Sequence, residues 1–191
     1  CQLCNSSKLN SIHSFGYQPT VNNFLNSKEL HSKVNYFPLT LLLCKKCELV
    51  QLNVIINSKT IFPPNYAYRS GTTKILKENF SNLKKEIEDK KLIKLNDLII
   101  DIGSNDGTLL SNFKDKYKIL GIEPTDVSQI ANLKNIKTIN KQFNYTLSKK
   151  ISKKYGKAQI VTATNVFAHI EDIHKIMKSI KMILKNDGVF I

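Results

Sequence analysis

Short apolar runs alternate with amphipathic stretches along the last hundred residues of the chain. Leu98-Ile99-Ile100-Asp101-Ile102-Gly103 is an apolar run closed by glycine, the pattern of a strand buried on both faces. Lys118–Glu123, Ile136–Ile139, Gln159–Thr164 and Gly188–Ile191 repeat it. Between them, Thr108–Phe113 and Val127–Leu133 read as helices, and Ile170, Ile173, Ile176, Ile180, Ile183 and Leu184 form an apolar stripe at helical spacing. Strand and helix in alternation predict an open α/β sheet with right-handed crossovers. Upstream, Ile75, Leu76, Phe80, Leu83 and Ile87 predict a helix among Lys and Glu. Phe37–Leu43 reads as a strand running into Cys44, Glu48–Leu52 continues away from it, and residues 57–73 read as a polar-aromatic loop. Two domains are expected, a small module over residues 1–70 and the α/β domain over 71–191.

Composition changes this picture little. The 191 residues include 29 Lys+Arg against 15 Asp+Glu, a formal net charge of +14. Such a balance invites a nucleic-acid partner. Of the basic residues, however, only Arg69 is arginine, the side chain that forks onto guanine and phosphate. The lysines are spread along the chain with no aromatic interleaving, as on a solvated surface. No nucleic-acid partner is expected, and a zinc-ribbon nucleic-acid-binding protein stands as the alternative of a different class. No apolar run approaches the roughly 20 residues that span a bilayer, so no membrane partner is expected.

The four cysteines are confined to the first quarter as Cys1-x-x-Cys4 and Cys44-x-x-Cys47. Two such pairs are the spacing of a tetrathiolate zinc site, with Cys1, Cys4, Cys44 and Cys47 as ligands. Two disulfides or a redox dithiol are the alternatives. Disulfides need an oxidising compartment, which nothing in the chain suggests, and a cytoplasmic setting is expected. Four thiolates close the coordination sphere, so the zinc would be structural.

Asp101-Ile102-Gly103-Ser104-Asn105-Asp106-Gly107-Thr108 lies between the first strand and first helix of the α/β domain, where such sheets bind ligands. It is neither a P-loop nor a full G-x-G-x-x-G, because Asn105 stands at the middle glycine that makes room for a pyrophosphate. Glu123 ends the next strand, placed for ribose hydroxyls. These features favour S-adenosylmethionine (SAM), a phosphate-free nucleoside with a cationic sulfonium, over a dinucleotide. At the end of the fourth strand, Asn165 is placed to hold the donor's amino group and His169 to face the acceptor.

The ordered set of motifs resembles the zinc-containing sugar C-methyltransferases. It comprises C-x-x-C, Gly16-Tyr17-Gln18-Pro19-Thr20-Val21-Asn22-Asn23-Phe24, Pro38-Leu39 before the second C-x-x-C, Tyr66-Ala67-Tyr68-Arg69-Ser70, the 101–108 loop, and Thr164-Asn165-Val166-Phe167-Ala168-His169. The resemblance covers essentially the whole chain and departs at Thr20-Val21, where many relatives carry Leu-Ala or similar small pairs. It implies a zinc module followed by a Rossmann-like class I methyltransferase domain, incomplete at its C-terminus, with a further C-terminal α/β domain of the same chain as partner. It implies methyl transfer from SAM to C3 of a nucleotide-linked 4-keto-deoxysugar, with a small-molecule nucleotide sugar as substrate. Asp101, Gly103, Asn105, Gly107, Glu123 and Asn165 would then bind the cofactor, with Gln142 and Phe143 flanking the adenine. Asn22, Tyr66, Tyr68 and His169 would face the sugar nucleotide, the last three as candidate catalytic residues able to donate or accept protons. An O- or N-methyltransferase acting on another small metabolite is the alternative within this class.

Overall fold

The structure is a computed structural model, and it describes residues 1–22 and 24–191; Asn23, part of a motif quoted above, lies outside the described residues. The chain divides into two compact units, Cys1–Ala67 with Glu171–His174, and Tyr68–Ile170 with Lys175–Ile191.

The first unit is built on a three-stranded antiparallel sheet in the order β1 (Leu9–Pro19), β2 (Tyr36–Cys44), β3 (Val50–Leu52). Both knuckles turn the same way. Asn5 N–H donates to Cys1 O at 3.0 Å and Glu48 N–H to Cys44 O at 2.9 Å. In each knuckle the residue after the second cysteine has a left-handed backbone, φ 57° at Asn5 and 62° at Glu48. The register pairs Leu9 with Cys44, which brings the two knuckles to one end of the sheet. β1 has no counterpart in the hydropathy reading. Ten of its eleven residues are exposed, so no alternation of apolar and polar positions marks it. A short helix α1 (Ser58–Ile61) follows, capped by Asn57.

The second unit is an open sheet of five parallel strands in the order β6-β5-β4-β7-β8. These are β4 (Leu98–Ile102), β5 (Lys118–Ile122), β6 (Thr138–Ile139), β7 (Ala158–Thr162) and β8 (Leu184–Phe190). Its helices are α2 (Lys74–Asp89), α3 (Thr108–Ser111), α4 (Val127–Leu133), α5 (Tyr145–Tyr155) and α6 (Ile173–Ile183), the last beginning within the 171–174 stretch of the first unit. All five residues of β4 are buried, as a central parallel strand requires. Ile100 and Ile102 pack with Leu120, Ile122 and Val161 against Leu147 and Ile151 of α5 and Ile180 and Ile183 of α6. Ile99 and Ile160 face the other way, against Phe80 and Ile87 of α2, Leu109 and Leu110 of α3, Phe113, Ala131 of α4 and Ile136. The sheet is therefore covered on both faces. The chain leaves β4 toward β5 on one side and reaches β7 on the other, so the topological switch point lies at the carboxyl ends of β4 and β7.

Three differences from the hydropathy reading have physical causes. Ile75 is 65% exposed, because the buried face of α2 runs through Leu76, Phe80, Leu83 and Ile87 at i, i+4, i+7 and i+11. Leu184 opens β8 rather than closing the apolar stripe of α6. α5 is absent from that reading because only Leu147 and Ile151 stand out among its lysines, although Asn144 caps it by accepting from Leu147 N–H at 2.9 Å.

Candidate functional site

In the first unit, Cys1, Cys4, Cys44 and Cys47 bring their Sγ atoms within 4.8 Å of one another. Cys1 and Cys47 Sγ are 3.6 Å apart, as are Cys4 and Cys44 Sγ. Four sulfurs at about 2.3 Å from a tetrahedral zinc would be about 3.8 Å from each other, so the donor set fits that ion. Burial acts to raise the Cys44 thiol, but backbone N–H groups of Cys47 and Lys46 and hydrogen bonds from the neighbouring thiols outweigh it and bring it down to about 7. The same unit holds Asn22, whose Nδ2 donates to the Tyr66 hydroxyl at 3.1 Å, and the Tyr66 ring meets Phe62 edge-on at 5.3 Å. Near the C-terminal end of the chain, His174 Nε2 donates to Leu3 O at 2.9 Å, also within this unit.

In the second unit, the loop 103–107 turns at the carboxyl end of β4. Gly103 takes φ 71°, and a Cβ there would come within 2.5 Å of Val166 Cγ2, so only glycine fits beneath the 164–169 segment. Asn105 follows with φ 50°, and Gly107 with φ 77° immediately precedes α3. This path aims the Asn105 N–H at Glu123, donating to Oε2 at 3.0 Å. Glu123 is 5% exposed at the end of β5. Its Oε1 accepts from Thr125 N–H at 2.9 Å and from the Thr125 hydroxyl at 2.6 Å. Thr125 had no place in the sequence reading, yet it holds the acid. A carboxylate followed two residues later by a hydroxyl is the local signal that could have found it.

Asp101 lies within β4, two residues before Gly103. It pairs in register with Thr162 of β7, whose hydroxyl donates to Oδ1 at 2.7 Å, and only 2% of the residue is exposed. Burial, with the Glu123 carboxylate adding to it, pushes Asp101 up to about 7 against the Thr162 hydrogen bond. The side-chain amide of Asn105 is engaged at both ends: Oδ1 accepts from Ser70 N–H at 2.8 Å and Nδ2 donates to Tyr68 O at 3.2 Å. Phe143, 6% exposed, joins the core on the α5–α6 face, beside exposed Gln142. Asn165 is exposed with φ 58°, and His169 ends a 3₁₀ turn, Phe167–His169. Burial lowers the His169 imidazole from its usual range. The structure thus gathers Asp101, Gly103, Asn105, Gly107 and Glu123 at the switch point, with Asn165 and His169 following β7. It places Asn22 and Tyr66 in the first unit and Tyr68 in the second.

Residues 68–191 match the family described as "Methyltransferase domain". The chain belongs to this family. Residues 1–62 match the model described as "Putative zinc binding domain", the segment carrying the four cysteines. The whole chain is 26% identical over 192 residues to C-methyltransferase NovU of Streptomyces niveus. It spans 46% of that relative's length, so about half of the relative lies outside the match. Among solved structures, the plantazolicin methyltransferase BpumL matches 62% of this chain and 46% of its own, at 15% identity and a TM-score of 0.50. That likeness shows the fold of the methyltransferase domain. YcgJ of Bacillus subtilis covers 59% of this chain and 49% of its own at 18% identity and a TM-score of 0.48. Among the described residues, no helix is long and apolar enough to cross a membrane.

Elemental analysis of the purified protein should find one zinc per chain, and Cys44→Ser should release it and unfold the 1–67 unit in limited proteolysis. A metal-free sample with an unchanged proteolysis pattern would remove the structural-metal assignment. For Asp101, the folded carboxyl titrates near 7 against an ordinary 3.8, so ionising it opposes folding. As pH rises from about 4 to about 7, wild type should lose stability relative to Asp101→Asn, by at most about 4 kcal/mol, with no further divergence above that window. Parallel denaturant titrations across pH would expose the assignment as wrong if the two proteins kept a constant difference.

Proposed function

We propose that the chain is the zinc-bearing and donor-binding portion of a SAM-dependent C-methyltransferase acting on a nucleotide-linked keto-deoxysugar. The observation that carries this reading is Glu123, a buried acid at the carboxyl end of β5, fixed by the loop that follows β4. A carboxylate offers about four acceptor positions. Asn105 N–H and the two Thr125 donors occupy three. One ribose hydroxyl can therefore be accepted directly, and a second when the Thr125 hydroxyl turns aside. Asn105 at the middle position leaves no pyrophosphate cradle, which supports a phosphate-free donor. Gln142 and Phe143 would border its adenine, and Asn165 its amino-acid end.

When bound, SAM supplies an electrophilic methyl group on a sulfonium. The residues of this chain orient the reactants and handle protons. The identity to C-methyltransferase NovU along the whole chain supports carbon as the acceptor atom, and the ordered motifs of the sugar C-methyltransferases are what suggest a keto-sugar as its bearer. Methylation beside a ketone needs a carbon deprotonated to an enolate, hence a base near that proton and donors at the developing oxyanion. His169, whose imidazole burial lowers from its usual range, would be the group near the acceptor able to accept or share a proton. In the second unit, Tyr68 would offer a phenolic hydroxyl to that acceptor. In the first unit, the four cysteines would hold zinc in a closed tetrahedral shell, which fixes the fold and leaves no position for water.

In the whole protein, Glu123→Ala should weaken S-adenosylhomocysteine binding by roughly tenfold to a hundredfold in calorimetry, the range for a lost hydrogen bond to a charged group. Unchanged affinity would sink the ribose assignment. His169→Ala should leave that affinity intact while lowering kcat on a keto-sugar nucleotide by about 10² to 10⁴. Equal turnover would exclude His169 from proton handling, and a product methylated on oxygen or nitrogen would replace the C-methylation reading.

A further inference from the structure

Residues Tyr68–Thr72 form a strap ending in a 3₁₀ turn, Ser70–Thr72, closed by Thr72 Oγ1 donating to Arg69 O at 2.7 Å. Three hydrogen bonds fasten this strap to the loop after β4. Two come from the Asn105 amide, to Ser70 N–H and to Tyr68 O. The third is Gly71 N–H donating to Asp106 Oδ2 at 3.2 Å. Asp106 is itself anchored, since the Thr108 hydroxyl donates to Oδ1 at 2.6 Å and Lys134 Nζ lies 3.4 Å from Oδ2. Burial acts to raise Asp106, but Thr108, Lys134 and Gly71 N–H outweigh it and hold it below the usual carboxylate range. The approach is close enough that a Cβ on Gly71 would fall 2.6 Å from Asp106 Oδ2 and 2.8 Å from Thr108 Oγ1.

We propose that Asn105 and Asp106 are positioning residues that clamp the Tyr68–Thr72 strap onto the donor loop, coupling the placement of Tyr68 to occupation of Glu123. Asn105 faces two ways. Its backbone N–H holds Glu123 while its side chain holds the strap. Loading Glu123 with a ribose fixes the loop, and the fixed loop fixes the strap. A planar amide suits this place because it offers an acceptor and a donor together, which aspartate and serine do not at that span. By reciprocity, a donor that orders the strap must bind less tightly when the strap is released. This inference rests on the donor reading above and adds a linkage between the donor site and a tyrosine proposed to face the acceptor.

The test uses the whole protein, with S-adenosylhomocysteine as probe. Hydrogen exchange of the Ser70 and Gly71 amides is followed with and without the probe, alongside calorimetry. Wild type should show exchange slowed by about tenfold on binding. Asn105→Gly keeps the left-handed backbone and its N–H but deletes the amide. Gly71→Ala leaves the loop intact and pushes the strap away. Both should abolish the slowing and weaken the probe by the same factor. Both should also raise KM for the keto-sugar nucleotide with the thermal midpoint unchanged, a split that a merely structural role would not give. If the probe binds wild type and the two amides exchange as before, the coupling is wrong and the donor reading stands. If both variants bind the probe as wild type does, the clamp is likewise overturned. If the probe does not bind wild type at all, the donor reading fails and the clamp falls with it.

Discussion

A carboxylate taken to 5% exposure must find its hydrogen-bond donors in the protein, and the architecture of the second unit is arranged around meeting that need at Glu123. β4 and β5 pair with Ile102 opposite Ile122, which places the loop after β4 directly over the residue that ends β5. That loop must reverse within a few residues to present an N–H rather than a carbonyl. It does so through two left-handed residues, Gly103 and Asn105. From the other side, Thr125 closes on the same carboxylate with two donors. Asn140 then holds the Glu123 and Thr125 carbonyls with one amide, at 3.1 and 2.6 Å. The site is thus a consequence of strand register and turn chirality, and the hydrophobic layers on either face keep that register fixed.

The second buried acid, Asp101, has fewer donors. Asp101 has one hydroxyl partner and a carboxylate neighbour, so it sits near the middle of its titration at neutral pH. Glu123 has three donors facing its oxygens. Both acids are buried, and they differ in how many N–H and O–H groups face them, three at Glu123 and one at Asp101. This bears on the net charge of +14. The lysines belong to the solvated surface, while carboxylates are placed at the strand ends, an arrangement suited to a ligand that carries positive charge.

The parallel sheet was legible because β4, β5 and β7 are apolar on both faces and carry the β-branched residues such strands favour. The metal cluster was legible because paired cysteines have few other uses at that spacing. Apart from α5, whose two core residues are diluted among lysines, what escaped the sequence is stabilised by hydrogen bonds and not by a buried apolar face. β1 is held by antiparallel pairing with β2 while its side chains stay exposed. Thr125 and Thr162 were unremarkable letters until the acids they serve were seen beside them. Asn105 was recognised as a departure from the usual middle glycine, but the strap its amide holds lies 35 residues earlier, beyond any local pattern.

That departure has a physical rationale extending over the chain. Among the described residues, eight non-glycine positions adopt positive φ, and six of them are asparagine: Asn5, Asn22, Asn96, Asn105, Asn135 and Asn165. Asparagine tolerates the left-handed region better than other side-chain-bearing residues, because its short amide can hydrogen-bond locally. Used in place of glycine, it reduces the freedom of the unfolded chain and brings a donor and an acceptor to the turn. Four of the six lie in the candidate sites: Asn5 in a cysteine knuckle, Asn22 on Tyr66, Asn105 on Glu123 and the strap, Asn165 after β7. A glycine at 105 would reach the same backbone geometry and still offer its N–H to Glu123. It could not reach Tyr68 and Ser70. The residue that looked like a lapse in a nucleotide motif is, in three dimensions, the one that ties the turn to a second segment of the fold.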